Sequence, residues 1–284
     1  MTTMRRLLVL PLLAASLLLA SCSTVEFAYN NAPGYLAGEF EDAFDANDAQ
    51  REQADLALAR FFAWHRQHEL EIYRQTLDGA ASQLGDGVSA EEFLDIVGEL
   101  RQAWHRSLAR LSEDFTPVLS TLSADQIDHY ERYFRDKSER YDEYLAMTED
   151  ERREFRVEEE LEDLEDWFGE LSAAQRNAFA ARLRQLPEFY LAWITYREER
   201  NRAFVDALRR APTDGLTPSQ LQHVVFGPDS DYTRTYQQVR VDYWKAYSRM
   251  IEDLGATLTS MQVEHAVDRL RHYADDIGEL ARAD

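Results

Sequence analysis

Cysteine, glycine and long apolar runs are all scarce in this chain. Cys22 is the only cysteine among 284 residues, so no intramolecular disulfide can form. The 11 glycines include no phosphate-binding loop, no Gly-x-Gly-x-x-Gly and no Gly-x-Ser-x-Gly nucleophile motif. The apolar run from Leu7 to Leu19 is shorter than the about 20 residues that a membrane-spanning helix needs. The recognisable motifs of nucleotide-binding, serine-hydrolase and membrane-spanning proteins are therefore missing.

The N-terminus has the organisation of a bacterial lipoprotein signal. Arg5 and Arg6 form a positive region, residues 7–19 form the apolar region, and Leu19-Ala20-Ser21 precedes Cys22 as a lipobox. This pattern predicts a signal peptide over residues 1–21, lipidation of Cys22, and a short aromatic tether over residues 22–38. The alternatives are an ordinary secretory signal with an incidental cysteine, or a short membrane anchor.

Lipidation of Cys22 places the mature protein on a membrane surface. Two or three acyl chains anchor it durably, because each buried CH₂ contributes about 0.8 kcal/mol and one chain alone is marginal. In bacterial lipoproteins generally, Asp after the lipidated cysteine signals retention in the inner membrane, and this chain has Ser23 there. We therefore expect a lipid-anchored protein on the periplasmic face of the outer membrane.

Basic residues are also in short supply. The chain carries 31 Lys and Arg against 53 Asp and Glu, and loss of the signal peptide leaves a net charge of about −24. Such a surface repels nucleic acid and anionic headgroups, so no nucleic-acid partner is expected and the body should stand off its bilayer. With 45% apolar residues the chain can still bury a core. We expect one helical domain over residues 39–284.

The apolar residues follow a helical period almost everywhere, and no stretch alternates with a period of two. The predicted fold is all-α, a bundle of about eight or nine helices of mixed length behind the lipidated tether. No Gly or Pro lies between Glu39 and Asp78, which permits one long first helix. The predicted helices cover 45–84, 89–116, 123–147, 149–171, 172–186, 188–210, 217–226, 231–254 and 259–281.

Capping boxes mark the predicted helix starts. In such a box a Ser or Thr side chain accepts from the backbone N–H three residues on, where a Glu or Gln side chain reaches back. The boxes are Ser89/Glu92, Ser123/Gln126, Thr148/Glu151, Ser172/Gln175, Thr217/Gln220 and Thr259/Gln262. Three extend to Ser/Thr-x-x-Gln-x-x-His, ending at His129, His223 and His265, and this permits a weak internal repeat with uneven spacing.

One tripeptide occurs twice, as Trp64-His65-Arg66 and Trp104-His105-Arg106, each time after Ala. If the two turns lie on adjacent antiparallel helices, they form one candidate binding surface in which His and Arg offer donors and Trp offers a stacking face. The alternative, which we favour, is that both Trp side chains are core and that His and Arg face outward or pair with carboxylates.

No catalytic, metal or cofactor site emerges from the remaining residues. His65-x-x-His68-Glu69 offers a possible metal edge but lacks the partners of established metal motifs. The acidic run over 158–166 is expected to be a solvated helix face. Aromatic residues crowd two further helices and suit packing or partner recognition, with packing favoured. They are Tyr130, Tyr133, Phe134, Tyr141 and Tyr144, then Tyr232, Tyr236, Tyr243, Trp244 and Tyr247.

Several segments together carry a resemblance to a known group. The lipobox, Tyr29-Asn30-Asn31-Ala32, Ala63-Trp64-His65-Arg66 and the repeated Leu-Ser/Thr-x-x-Gln helix starts resemble a family of uncharacterised proteobacterial lipoproteins. That resemblance implies an all-helical periplasmic lipoprotein and supplies no activity, ligand or catalytic residue. The Leu-Ser/Thr-x-x-Gln element is also similar to one in the small periplasmic chaperones of the Spy kind, although a capping box alone generates the same letters.

These observations favour binding over catalysis. We expect a membrane-anchored periplasmic lipoprotein that is not an enzyme and that binds an unidentified protein partner or acts as a scaffold in the cell envelope. Two alternatives stay open. One is a chaperone-like holdase, and the other is a cell-wall-active enzyme that uses dispersed carboxylates.

Overall fold

A computed structural model describes residues 23–226 and 234–283, so Cys22, the predicted signal peptide and Tyr232 lie outside the described residues. The described chain is all-helical and contains no strand, as the sequence predicts. A 3₁₀ turn over Glu139–Tyr141 separates α5 from α6. The α-helices are α1 Ser23–Phe44, α2 Asp48–His68, α3 Leu70–Asp86, α4 Ala90–Leu119, α5 Ala124–Ser138, α6 Asp142–Ala146, α7 Glu149–Phe168, α8 Ala173–Leu183, α9 Phe189–Asp214, α10 Pro218–Phe226, α11 Arg234–Gly255 and α12 Ser260–Arg282.

The described helices are more numerous than the eight or nine expected, because α1 precedes the first predicted helix and two predicted helices are divided. The expected helix over 45–84 begins after Asp45, which has a left-handed φ of 46°, and is divided at Glu69. The expected helix over 123–147 is divided by the 3₁₀ turn. Asn47 caps α2 and closes a reciprocal box with Gln50. Asn is as good an N-cap as Ser, so an Asn-x-x-Gln box would have indicated this helix start.

The residues assigned to a tether are helical. The predicted boundary at residue 38 falls within α1, whose Ala37 and Phe40 are buried against the body. Pro33 lies inside this helix without ending it. The first described helix is thus part of the folded body as well as the segment that follows Cys22.

All six predicted capping boxes are confirmed. In each, the Ser or Thr hydroxyl accepts from the backbone N–H of the Glu or Gln three residues later, and that side chain accepts from the cap's own N–H. Local hydrogen bonding of this kind satisfies donors that the first helical turn leaves free.

The Asn47/Gln50 box and the Ser123/Gln126 box are joined into a reciprocal pair, which we call the N-terminal Gln clasp. The Gln50 Nε2 donates to Gln126 Oε1 at 3.1 Å, and the Gln126 Nε2 donates to Gln50 Oε1 at 2.7 Å. Each amide also donates to the backbone carbonyl before the other helix, Thr121 O and Asp45 O. His129 bonds the carbonyl of Asp42 at 3.0 Å. The clasp fixes the starts of α2 and α5 side by side.

The same arrangement recurs as a C-terminal Gln clasp between α8 and α12. Gln175 and Gln262 exchange hydrogen bonds at 2.9 and 3.3 Å. Their amides also donate to Thr257 O and Glu170 O, and His265 bonds the carbonyl of Trp167 at 2.9 Å. Two of the three Ser/Thr-x-x-Gln-x-x-His segments therefore occupy equivalent places in the fold, which matches the weak internal repeat that the sequence permits.

The repeat defines two units. In the N-terminal unit, residues 23–138, α1 packs on α2 and α5 while α2 packs on α4. In the C-terminal unit, residues 149–282, α7 packs on α8 and α12 while α8 packs on α11. The apolar core of the N-terminal unit also contains Val205 and Leu208 of α9 and Leu221 of α10, whereas the core of the C-terminal unit is formed mainly by α7, α8, α11 and α12. A smaller core around Tyr141, Tyr144, Tyr190 and Ile194 lies where α5, the 3₁₀ turn, α6 and α9 meet. The two units are joined by the extensive packing of α3 along α12 and by the packing of α4 on α10 and α11.

Candidate binding surface

The first Trp-His-Arg turn lies near the end of α2, where α1 covers it. The Tyr29 hydroxyl and His65 Nδ1 are 3.0 Å apart, and the His65 ring also contacts Phe61 and Tyr73. Burial disfavours the charged imidazole and lowers the pKa of His65 to about 4, while the Glu69 carboxylate opposes this shift. His65 is thus an internal residue of the N-terminal unit, not an outward donor.

Arg66 ties three segments together. Its guanidinium donates to Asn30 Oδ1 at 2.8 Å and to the backbone carbonyl of Leu280 at 2.6 Å. It also lies over the ring of Tyr29, 5.1 Å from the centroid. The Tyr29-Asn30 and His65-Arg66 segments, which the sequence singles out separately, therefore contact each other and the end of α12.

The second Trp-His-Arg turn lies within α4 and is held by one buried carboxylate. Arg106 Nε and Nη2 donate to the two oxygens of Glu69 at 2.9 and 2.8 Å. Glu69 is only 1% exposed, so this bidentate pair supplies the partner that a buried charge requires. The expectation that Arg pairs with a carboxylate is confirmed here.

The two Trp side chains are not core residues. Trp64 is half-buried and stacks on His68 with ring centroids 5.4 Å apart. Trp104 is 57% exposed, although it follows the fully buried Ala103. The buried stripe of α4 runs through Ala103, Ser107 and Leu108, and Trp104 falls one position outside that stripe. The favoured core interpretation is therefore wrong for Trp104.

The two turns do not face each other as one groove. Arg60 pairs with Asp114 at 2.9 Å and Arg106 with Glu69 at 2.8 Å, which sets α4 antiparallel to α2. In this register Trp104 lies level with the start of α3, about 10 Å along the helix direction from Trp64 at about 1.5 Å per residue. The surface available to a partner is the Trp104 side chain, because the neighbouring Arg106 is committed to Glu69.

The possible metal edge is not assembled. His65 Nδ1 faces Tyr29, His68 Nδ1 faces the carbonyl of Trp64 at 2.8 Å, and both oxygens of Glu69 bind Arg106. Across residues 23–226 and 234–283, no group of three or more His, Cys, Asp or Glu side chains is placed to hold a metal ion.

A second polar cluster lies in the C-terminal unit. Glu160 accepts from the hydroxyls of Tyr243 and Tyr247, both at 3.1 Å. Burial and the neighbouring Asp163 raise the pKa of Glu160 to about 7, and burial with nearby acids raises that of Asp163 to about 6. The expected solvated face of 158–166 is wrong at these two positions, because α11 covers Glu160. Two tyrosines spaced i, i+4 opposite an acidic run are the signal that sequence reasoning missed.

The chain belongs to a family of unknown function, DUF6279, whose model matches residues 42–237. No curated protein and no solved structure matches it. Within the described residues, none of the helices combines the length and apolarity needed to cross a membrane. The matched segment includes both Trp-His-Arg turns, the N-terminal Gln clasp and Glu160.

Proposed function

We propose that this protein is a non-catalytic lipoprotein of the cell envelope, anchored through Cys22 at the periplasmic face of the outer membrane, that binds a protein partner through Trp104. The observation that supports binding is the exposure of Trp104 beside a rigidly held Arg106. Trp is enriched at the energetic centres of protein interfaces, where a large apolar ring is buried by the partner. The acidic surface disfavours nucleic acid and anionic partners.

The structure gives Trp104 a fixed support. The adjacent Ala103 is buried and Arg106 is bound to Glu69 in two-point geometry, so the backbone of this turn is held on both sides. A side chain presented from a rigid helix loses little conformational freedom on binding, which favours affinity. The surface therefore suits recognition of a partner better than proton transfer.

The anchor is tested by replacing Cys22. The wild-type protein should be found entirely in the membrane fraction, with a mass spectrum of its N-terminal peptide that begins at an acylated Cys22. Cys22→Ala should release the protein into the soluble periplasmic fraction. A soluble wild-type protein, or a mature N-terminus elsewhere, would remove the anchor from the proposal.

The partner is sought by chemical crosslinking in intact cells followed by affinity capture of the full-length protein. Trp104→Ser should lower recovery of a discrete partner at least tenfold, whereas Met261→Ser is the matched control, because Met261 is 78% exposed in the C-terminal unit. Recovery of many unrelated envelope proteins would favour the holdase alternative. Equal recovery by both variants would contradict a binding role for Trp104.

The enzyme alternative has one observation in its favour, the raised pKa of Glu160 and of Asp163. A carboxyl group that holds its proton near neutral pH can act as a general acid in glycan cleavage. Incubation of purified protein with isolated cell-wall sacculi tests this directly. Release of soluble fragments that is lost in Glu160→Gln would replace the binding proposal with an enzymatic one.

A further inference from the structure

One exposed face of helix α1 carries no charged side chain over residues 27–38, and the exposed Glu26 of the first turn lies on another side of the helix. Residues 27–38 contain no Asp, Glu, Lys or Arg, although 30% of the whole chain is charged. At about 100° per residue, five exposed positions of this segment fall on one side of the helix. They are Phe27, Asn30, Asn31, Gly34 and Tyr35.

Two aromatic side chains stand out on this face. Phe27 is 69% exposed and Tyr35 is 67% exposed. Along the helix they are about 12 Å apart at 1.5 Å per residue, and Phe27 follows Cys22 by only five residues. An aromatic ring in water loses the stabilisation that burial would provide, and aromatic side chains favour the interface between lipid headgroups and acyl chains.

The opposite face of α1 is fixed to the body. Ala37, Phe40 and Phe44 are buried in the N-terminal unit, and Tyr29 contacts Phe62 edge-on at 5.4 Å between ring centroids. Asn30, at the edge of the exposed face, accepts from Arg66 and is therefore not counted in the proposed contact. Helix α1 therefore does not move freely relative to the body, and a surface that holds its outer face also sets the orientation of the whole N-terminal unit.

The charge-free face ends where the acidic surface begins. The Glu39 carboxylate, one turn after Tyr35, raises the pKa of the Tyr35 hydroxyl, and Glu41 and Asp42 are both exposed about two turns after Tyr35. Acidic side chains are repelled by anionic headgroups, so any contact with a bilayer would be confined to the part of α1 nearest to Cys22. The pattern along the helix matches a molecule that touches the bilayer with its first turns and stands off it thereafter.

We propose that the face of α1 formed by Phe27, Asn31, Gly34 and Tyr35 lies in the interfacial layer of the membrane that Cys22 anchors, and so fixes the orientation of the body on that membrane. This inference rests on the proposed lipid anchor for its location. The lipid anchor on Cys22 limits the distance between the body and the membrane. The aromatic face of α1 supplies a second contact, which limits rotation of the body relative to the membrane. The occupant of the face is a lipid surface, not a second protein.

The chain offers a clean test, because lipidated Cys22 has no free thiol and no other cysteine exists. Single variants Phe27→Cys and Tyr35→Cys of the full-length lipidated protein are spin-labelled and reconstituted into vesicles of phosphatidylethanolamine with a minority of phosphatidylglycerol. Leu56→Cys and Met261→Cys, at positions 56% and 78% exposed elsewhere on the surface, are the matched controls. The measurement is label accessibility to oxygen, which partitions into lipid, and to a water-soluble nickel chelate.

Labels at 27 and 35 should show an oxygen-to-nickel accessibility ratio several-fold above both controls. Water exposure at 27 and 35 on protein whose Cys22 is acylated by mass spectrometry would overturn the membrane face and leave the anchor standing. Shielding from nickel that persists when Phe27→Cys and Tyr35→Cys are combined with Cys22→Ala, so that only the introduced thiol takes the label, would support the face and show that it does not need the anchor. Shielding from both reagents would mean that protein covers the face, which also overturns the proposal.

Discussion

The N-terminal and C-terminal units close the same Gln clasp but place their aromatic side chains differently. Among the described residues, the exposed large aromatics are Phe27, Tyr35 and Trp104, and all three lie in the N-terminal unit. The C-terminal unit instead packs Phe189, Tyr236, Tyr243, Trp244 and Tyr247 into a continuous series of ring contacts. The Gln clasp, which both units share, holds helices together. The exposed aromatic side chains, which are found in the N-terminal unit, indicate that this unit makes the external contacts.

The buried ionisable groups differ between the units in the same way. In the N-terminal unit, His65 is kept neutral by burial, with its pKa lowered to about 4. In the C-terminal unit, burial and the neighbouring Asp163 raise the pKa of Glu160 to about 7, so that Glu160 loses its proton only near neutral pH. Lowering the pH therefore destabilises the N-terminal unit through His65 and stabilises the C-terminal unit through Glu160. The contributions of these two groups to the free energy of unfolding should change with pH in opposite directions.

The largest expected effect separates an ion pair whose carboxylate is buried from one whose carboxylate is exposed. Arg106→Ala leaves the carboxylate of Glu69 buried without a partner and should cost about 3 to 4 kcal/mol in the free energy of unfolding. The matched control is Arg184→Ala in the C-terminal unit, where Arg184 makes the same two-point contact with Glu154 at 2.7 Å but both side chains are exposed. That variant should lose no more than about 1 kcal/mol. Equal losses in urea denaturation would show that burial of Glu69 does not matter.

The pH dependence is sharpest at Glu160. The folded state holds a proton up to about pH 7, whereas the unfolded chain releases it near the ordinary value of 4.5, so stability falls as the pH rises between these values. Glu160→Gln removes this loss. At pH 8 the variant should therefore be more stable than the wild type by at most about 3 kcal/mol, at 1.36 kcal/mol per pKa unit.

The comparison at low pH completes that measurement. Near pH 4 the wild type and Glu160→Gln should unfold with nearly the same free energy, because Glu160 is protonated in both states. His65→Gln is the counterpart in the N-terminal unit. Because the pKa of His65 is lowered in the folded state, the wild-type protein loses free energy of unfolding as the pH falls from about 6.5 towards 4, and His65→Gln should remove this loss. If Glu160→Gln raises the free energy of unfolding by the same amount at pH 4 and pH 8, the raised pKa of Glu160 would be contradicted.

The two Gln clasps should be of similar strength. Gln50→Ala and Gln175→Ala each remove a cap acceptor and leave the partner amide without its reciprocal bonds, at a cost of about 2 kcal/mol. Gln220→Ala removes the cap acceptor of Thr217 alone, at an exposed position, and should cost about 1 kcal/mol or less. Thermal or urea unfolding of the three variants makes the comparison. A large loss of unfolding free energy in only one of Gln50→Ala and Gln175→Ala would contradict the conclusion that the two clasps are structurally equivalent.

The smallest effect is expected at the proposed contact itself. Trp104→Ser changes an exposed side chain and should alter the free energy of unfolding by no more than about 0.5 kcal/mol. A stable Trp104→Ser protein is what makes its capture experiment interpretable. A large destabilisation would mean that Trp104 packs against the body.

The six helix starts with a Ser or Thr capping box could be predicted from the sequence, because a capping box is complete within four residues. The Gln clasps could not be predicted, because Gln50 contacts Gln126 only after the chain has folded. A capping box does not specify which other helix start packs against it. Trp104 was misjudged since Ala and Ser form the buried stripe of α4, where an apolar residue beside that stripe looks like core. Glu160 was missed for the same reason as the clasps, since Tyr243 and Tyr247 reach it from a distant helix.

A variant with four alanine replacements shows that the sequence alone does not reveal contacts between distant helices. The residues replaced are His65, Arg66, His105 and Arg106. From the sequence these side chains are outside the core, and the variant is expected to fold. In the structure, His65 is internal, Arg66 joins α1 to the end of α12, and Arg106 neutralises Glu69, so that variant should be strongly destabilised. Single replacement of Trp104 is the change that isolates the surface.

The most direct test is site-specific photo-crosslinking in living cells, with a photoreactive aromatic amino acid, which keeps a large ring at the contact, placed in the full-length protein at position 104 or at position 261. Both positions are exposed, one in each unit, so they sample the same cell envelope from the two halves of the molecule. The account predicts a discrete crosslinked adduct from position 104 and none from position 261. The same adducts from both positions, or an adduct from position 261 alone, would contradict the claim that the N-terminal unit makes the external contacts.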